Sequence, residues 1–370
     1  MARSVFEEVG GDKRSQASGP VPGAADAQKA RNRKRVAFWL LAVAALVVAQ
    51  ILLGGYTRLS ESGLSITDWR PVTGVLPPMS DAAWEAELEK YRGTTEYQET
   101  NRGMTIEAFK AIYWPEYWHR MLGRLIGLVY LGGLAFFAAT KAIPPGWTGR
   151  LVALGALGAL QGVIGWWMVS SGLVGRLDVS QHRLALHLSL AFVILGLTLW
   201  FALSLLRAEV DMLQARRRRE TPLREIALGL LGLLFAQIVL GAYVAGLDGW
   251  TVYAEWPTMG GAFYPPGEPF APFEEPAAAQ FVHRLVAYAL LLDAAVFWWL
   301  ARRSSFAKSR LWATLTFGLI AAQAVVGIGL LSHAAQGSTW VVHQLGGVLV
   351  FAVAIHMAHQ FSFPKEEKIA

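Results

Sequence analysis

Apolar residues in this chain do not alternate with polar ones; they gather into eight long blocks. About 20 consecutive apolar residues cross the hydrocarbon of a bilayer as a helix. Blocks of that size fall at 36–57, 114–140, 150–172, 182–206, 225–247, 278–301, 310–332 and 339–361. The pattern predicts an all-α integral membrane protein with eight transmembrane helices. The first 35 residues are polar and end in Arg31, Arg33, Lys34 and Arg35. A secretory leader has its basic region first, then a short apolar run and a small-residue cleavage site. Here the run is long and leads into further spans, so it reads as a retained helix.

Charge predicts the direction of insertion. With eight spans, both tails and the even loops share one side, which holds 22 of the 33 Lys and Arg residues, including Arg216–Arg219. The odd loops hold seven, and the remaining four (Arg120, Arg124, Arg183 and Arg284) lie near the outer ends of helices. The positive-inside rule therefore puts both termini in the cytoplasm. The basic run reads as a topology anchor rather than a nucleic-acid site. Two outer loops are long. Residues 58–113 carry nine acidic residues and the pattern of an amphipathic helix near 80–92, and residues 248–277 are rich in Pro, Gly and aromatics. Loops of this length are often functional lids.

Composition adds two exclusions. At 54% hydrophobic and 16% charged, with net charge +6, the 370 residues fit neither a disordered chain nor a water-soluble globule. Cysteine is absent, which removes disulfides, thiolate metal sites and a catalytic thiol.

The chain also repeats itself. AQILLGGY (49–56) returns as AQIVLGAY (236–243), EYWHR (116–120) as QFVHR (280–284), and QGVIG (161–165) as QAVVG (323–327); His187 corresponds to His343. Order is kept while loop lengths drift, as in a duplicated four-helix unit. An even number of spans per unit makes the copies parallel, so the expected architecture is two tandem four-helix bundles related by a pseudo-two-fold axis along the membrane normal. The expected divisions are a cytoplasmic tail (1–35), a first bundle (36–206, with loop 58–113), a basic linker (207–224), a second bundle (225–361, with loop 248–277) and a final tail (362–370).

Ionisable groups inside spans are functional candidates. His119, His187, His283 and His343 all fall near the outer ends of helices, two per unit. Two neutral imidazoles on opposite faces of an iron porphyrin make a bis-histidine heme site, and helical bundles build such sites from facing side chains. A lone membrane histidine is commonly a packing residue; four at repeat-related positions argue otherwise. His182 lies five residues before His187, too far around the helix for both to serve one iron. His333 has no histidine counterpart at the aligned Ser171, and His356 and His359 lie at the inner end. Arg120 and Arg284 each follow a histidine and suit heme propionates, with interfacial snorkelling as the plainer alternative. Glu116, three residues before His119, aligns with Gln280, so one half has an acid where the other has an amide. It is read as a reactive carboxylate or, more plainly, as a complement to the helix dipole. Asp293 lies deeper and carries no catalytic expectation.

With these residues in view, the sequence resembles the heme A synthase family. The resemblance rests on GGYTRLSESGLSITDWRPVTGVLPP (54–78), PEYWHRMLGR (115–124), SQHRLALH (180–187), QFVHRL (280–285) and VVHQLGG (341–347), and it covers nearly all of residues 36–361. The long first loop and the absence of cysteine resemble the proteobacterial and mitochondrial type. A mechanism relying on the loop cysteine pair of other bacterial relatives cannot apply.

The resemblance implies an oxidoreductase that converts the C8 methyl of heme O to the formyl of heme A, through an alcohol and a hydrated aldehyde, with water-derived oxygen. It implies that His119 and His187 hold heme O as substrate and heme A as product, and that His283 and His343 ligate a resident heme b. Glu116 would be the catalytic carboxylate, and Arg58 a substrate or propionate contact. Implied partners are heme O itself, heme O synthase, cytochrome oxidase assembly factors, membrane lipid and an electron partner that the sequence does not name. Self-association is compatible, and nucleic acid is not expected. The location implied is a bacterial inner membrane, with the heme sites toward the periplasm. One rival is a quinone-linked diheme b-type electron carrier, which would spread its ligands over both membrane faces. Another is a transporter, which would place its site at the midplane.

Overall fold

The computed structural model describes residues 23–267, 270–332 and 338–365. Its helices, in chain order, are α1 (Ala24–Leu59), α2 (Asp81–Arg92), α3 (Thr95–Glu99), α4 (Ile106–Ala139), α5 (Thr148–Ser170), α6 (Gln181–Leu205), α7 (Glu209–Arg218), α8 (Thr221–Gly246), α9 (Pro276–Ala301), α10 (Ala307–Ser332) and α11 (Ser338–Ser362). Eight of them, all but α2, α3 and α7, are long and apolar enough to cross a membrane. The protein is an all-α, multi-pass membrane protein.

Two spans are longer than their apolar blocks. α1 begins at Ala24 rather than 36, because residues 25–35 contain good helix formers and neither Pro nor Gly. Its 36 residues reach about 54 Å, well beyond the roughly 30 Å of hydrocarbon. α4 begins at Ile106 rather than 114, where the Thr105 side chain accepts a hydrogen bond from the Ala108 amide. Within the basic segment 207–224, Arg216, Arg217 and Arg218 form the last turn of α7, where cations complement the helix dipole.

Among the first four spans, α1 packs on α4 and α6, and α5 on α6. Among the last four, α8 packs on α9 and α11, and α10 on α9 and α11. The two sets meet through α6 with α8, and through α11 with α1 and α6. In lipid, association rests on close packing and hydrogen bonds rather than on water exclusion. Trp39 Nε1 donates to the Val129 carbonyl at 3.1 Å, and Tyr130 Oη to that of Leu151 at 2.6 Å. Leu40, Leu195, Leu205, Leu230 and Phe297 are fully enclosed, whereas Leu128 and Leu131 on α4 are 71% and 63% exposed and face lipid.

The first long loop has a core of its own. Trp84, Leu88 and Tyr91 form one stripe of α2 and pack on Phe109, Tyr113 and Tyr117 of α4. Trp84 meets Tyr113 edge-on at 4.9 Å. The expected amphipathic helix near 80–92 is thus α2, capped by Ser80.

Candidate functional site

The four histidines sit in four copies of one local arrangement. Gln50, Gln161, Gln237 and Gln323 each lie nine residues before the end of α1, α5, α8 and α10. Each glutamine donates its amide N–H to the backbone carbonyl of the histidine on the following span. The distances are 3.0 Å to His119, 3.0 Å to His187, 3.0 Å to His283 and 2.8 Å to His343. Four residues further on, one helical turn, stands a glycine: Gly54, Gly165, Gly241 or Gly327. A β-carbon at these positions would lie 3.0, 2.8, 3.3 and 3.1 Å from the respective imidazole. At Gly165 a β-carbon would force the ring to move, and at the other three it would be a tight fit.

The arrangement also brings the histidines together in pairs. The imidazoles of His119 and His187 are within electrostatic reach of each other, as are those of His283 and His343. Both pairs lie toward the end of the molecule that carries the long loops. The other described histidines are engaged elsewhere. His182 contacts Tyr243 Oη at 3.2 Å and Glu274 at 3.2 Å. His356 stacks on Trp312 at 3.8 Å, and His359 meets Ser204 Oγ at 3.2 Å. His333 lies outside the described residues.

The halves differ beside their first histidine. Glu116 is buried; its Oε1 accepts from Arg120 Nε at 2.6 Å, and its Oε2 faces His119 Nδ1 at 3.9 Å. Arg120 also donates to the carbonyls of Asp68 and Ile66, both at 2.7 Å, pinning the first loop. Arg284 plays the same structural part in the second half, donating to the carbonyls of Glu255, Thr258 and Tyr253. There Gln280 turns away and donates to the Tyr253 carbonyl at 2.8 Å. Gln280 Oε1 and Arg284 Nε are buried without a partner among the described residues.

Arg58 ends α1 in an ion-pair junction. It forms a two-oxygen contact with Asp248 at 2.9 and 3.0 Å and meets Asp178 at 3.5 Å. Asp248 adopts a left-handed backbone (φ 49°), a conformation that Asp tolerates better than most residues. Glu96 on α3 is buried nearby; burial, reinforced by the fields of Asp178 and Glu61, pushes its carboxyl up to about 7. Asp293 is half-buried, ten residues or about 15 Å along α9 from His283.

The glutamine and glycine roles were missed from sequence, although the signal was available. Gln-x-x-x-Gly occurs in all four odd-numbered spans, and that spacing stacks both residues on one helix face. All four copies lie in the segments that mark the duplication.

Fold and site together define a polytopic all-α membrane protein with two histidine pairs near one end and a buried acid beside one of them. The family model described as cytochrome oxidase assembly protein matches residues 37–355, and the chain belongs to that family. It is similar to the heme A synthase of Ruegeria sp. (strain TM1040), 45% identical with 98% of this chain and 97% of that protein aligned. The heme A synthases of Paracoccus denitrificans (strain Pd 1222) and Dinoroseobacter shibae (strain DSM 16493) are 44% and 46% identical. Their alignments cover 99% and 98% of this chain and 98% and 96% of theirs.

Proposed function

We infer that the protein is a heme A synthase, an oxidoreductase that converts heme O to heme A in the inner membrane. The observation that carries the reading is the pairing of four clamped histidines, two per half, with an acid beside only one pair. Its relatives over nearly the whole chain are heme A synthases, and the electron-carrier alternative has no finding in its favour.

The site suits iron porphyrin. Each half offers two imidazoles with glycine-cleared space beside each ring, and among the described residues no group of three His, Asp or Glu side chains is placed to hold a bare metal ion. His283 and His343 are assigned to a resident heme b, and His119 and His187 to heme O and, after turnover, heme A. Bound heme b supplies one-electron redox chemistry, whose potential the protein tunes through ligands and burial.

This chain's own part in the reaction centres on Glu116. Arg120 holds Oε1 and balances the buried charge, which leaves Oε2 as the atom to orient a water beside the substrate, accept its proton, or stabilise developing positive charge. Arg120, Arg284 and Arg58 remain the propionate candidates. Because all three already hold loop carbonyls or carboxylates, their contribution is to couple heme binding to loop order.

The contacts between spans support two tandem bundles, 36–206 and 225–361, joined by the basic linker 207–224 and related by a two-fold axis along the membrane normal. The tails 1–35 and 362–370 are assigned to the cytoplasm and both sites to the periplasmic side. Labelling within 59–112 and 248–277 tests this; cytoplasmic exposure of either loop would invert the assignment. Heme O synthase, oxidase assembly factors and an electron partner are the expected associates.

Pigment extraction from the purified protein tests the function. Heme b together with heme O or heme A is expected. Heme b alone would return the reading to an electron carrier.

A further inference from the structure

We propose that Gln50, Gln161, Gln237 and Gln323 are positioning residues that set the height and rotation of the four axial imidazoles. The proposal rests on the reading of those histidines as heme ligands. Three features carry it.

The first is the carbonyl contact, which recurs in all four copies at 2.8–3.0 Å and fixes each histidine backbone against the preceding span.

The second is the position of the amide. Gln161 Nε2 lies 3.2 and 3.3 Å from the two ring nitrogens of His187, and Gln237 Nε2 lies 3.2 and 3.1 Å from those of His283. A nitrogen equidistant from both at that range cannot lie in the ring plane without colliding with ring carbons. It lies over the face, where an N–H meets the π system. With the glycine one turn later against the Cε1 side of the ring, the imidazoles of His187, His283 and His343 are each flanked by two residues of a single helix.

The third is the set of buried, unpaired amide oxygens on Gln50, Gln161 and Gln237. Leaving such an atom buried and unpaired is destabilising, so these amides are not there for fold stability alone. His119 is the exception within the set: Gln50 reaches only its carbonyl, and its ring faces the Glu116 carboxylate instead. Three ligands are backed by neutral amides and one by an anion.

The test uses the full-length protein with its native hemes. Gln237→Met and Gln323→Met keep side-chain length and remove the amide. Both should speed transfer of heme b to apomyoglobin by about 10–100-fold, the usual effect of losing a partner behind a metal ligand. Both should also shift the low-spin electron paramagnetic resonance signal of heme b. Gln161→Met should alter only the first-half signal. Gln360→Met is the control, since Gln360 is a buried glutamine at the other end of α11, about 25 Å from His343. Should Gln237→Met fail to fold, Gln237→Glu has nearly the same shape, sets an oxygen against the His283 carbonyl, and is read on the same scale. Wild-type retention and spectrum in both second-half variants, or an equal change in Gln360→Met, overturns the proposal. His283→Ala run in parallel separates the two levels. If it keeps heme b, the ligand reading itself has failed; if it loses heme b while the glutamine variants behave as wild type, only the positioning role has.

Discussion

The two halves of this protein place the same parts around their first histidine and differ in one side chain. In the first half the buried Glu116 pairs with the half-buried Arg120 one helical turn away, with the second carboxylate oxygen turned to His119. In the second, Gln280 and Arg284 occupy the matching positions but do not bond to each other, and the arginine Nε is left unpaired. Both arginines still pin their loops through backbone carbonyls. Loop anchoring therefore does not require the acid. What Glu116 adds is a carboxylate next to His119, and under the proposed function that is the expected difference between a half that reacts and a half that only carries electrons.

The largest expected effect tests whether the halves are separate sites at all. His283→Ala or His343→Ala should strip heme b, and His119→Ala or His187→Ala should remove mainly heme O or heme A, as read by pigment analysis. Loss of both pigments from every variant would merge the two sites into one.

Next comes the acid. Glu116→Gln copies the second half, so both hemes should stay bound while heme A formation falls by about 10²–10⁴-fold. A tenfold drop or less would leave the carboxylate as a dipole complement. The reciprocal Gln280→Glu restores a partner for Arg284 and should leave heme A output within a few-fold of wild type.

The third prediction concerns the loop that only the first half elaborates with two helices. Glu96 has a folded value of about 7 against the ordinary 4.5. The folded state therefore holds the proton more tightly than the unfolded one. Its stabilising contribution is fully present below about pH 4.5 and is lost as pH rises through 7. Resistance of the 80–105 segment to proteolysis should fall across that range, and Glu96→Gln should flatten the dependence. A profile unchanged by the substitution would assign the effect elsewhere.

The smallest effect is at the junction between halves. Asp248→Asn weakens the contact with Arg58, whose side chain is 16% exposed, and should lower stability by about 1 kcal/mol in thermal unfolding. A loss of heme with no change in stability would instead make Arg58 a direct propionate contact.

Much of this was legible in the chain. Eight apolar blocks are hard to mistake, because uninterrupted hydrophobicity needs no knowledge of partners. The histidine pairs were visible because duplication repeats them. The starts of α1 and α4 were not, since Ala24 and Ile106 begin helices outside the apolar blocks, where helix propensity and a Thr105 cap decide. The occupied state of Arg120 and Arg284 was also hidden. Their partners are backbone carbonyls of loops such as Ile66 and Tyr253, and a carbonyl has no sequence signature. The glutamines were seen as repeat markers but not as contacts, because a hydrogen bond to the next span depends on register between helices.

The glutamine contacts also bear on biogenesis. Each joins neighbouring spans: α1 to α4, α5 to α6, α8 to α9 and α10 to α11. Under the proposed ligand reading, each half-site is completed between two consecutive spans, at sequence separations of 69, 26, 46 and 20 residues. The two members of a histidine pair come from different hairpins. On that reading, insertion would deliver four half-sites, and heme capture would then join them two by two. In that order, pigment arrival is an assembly step for each half rather than a decoration of a finished one.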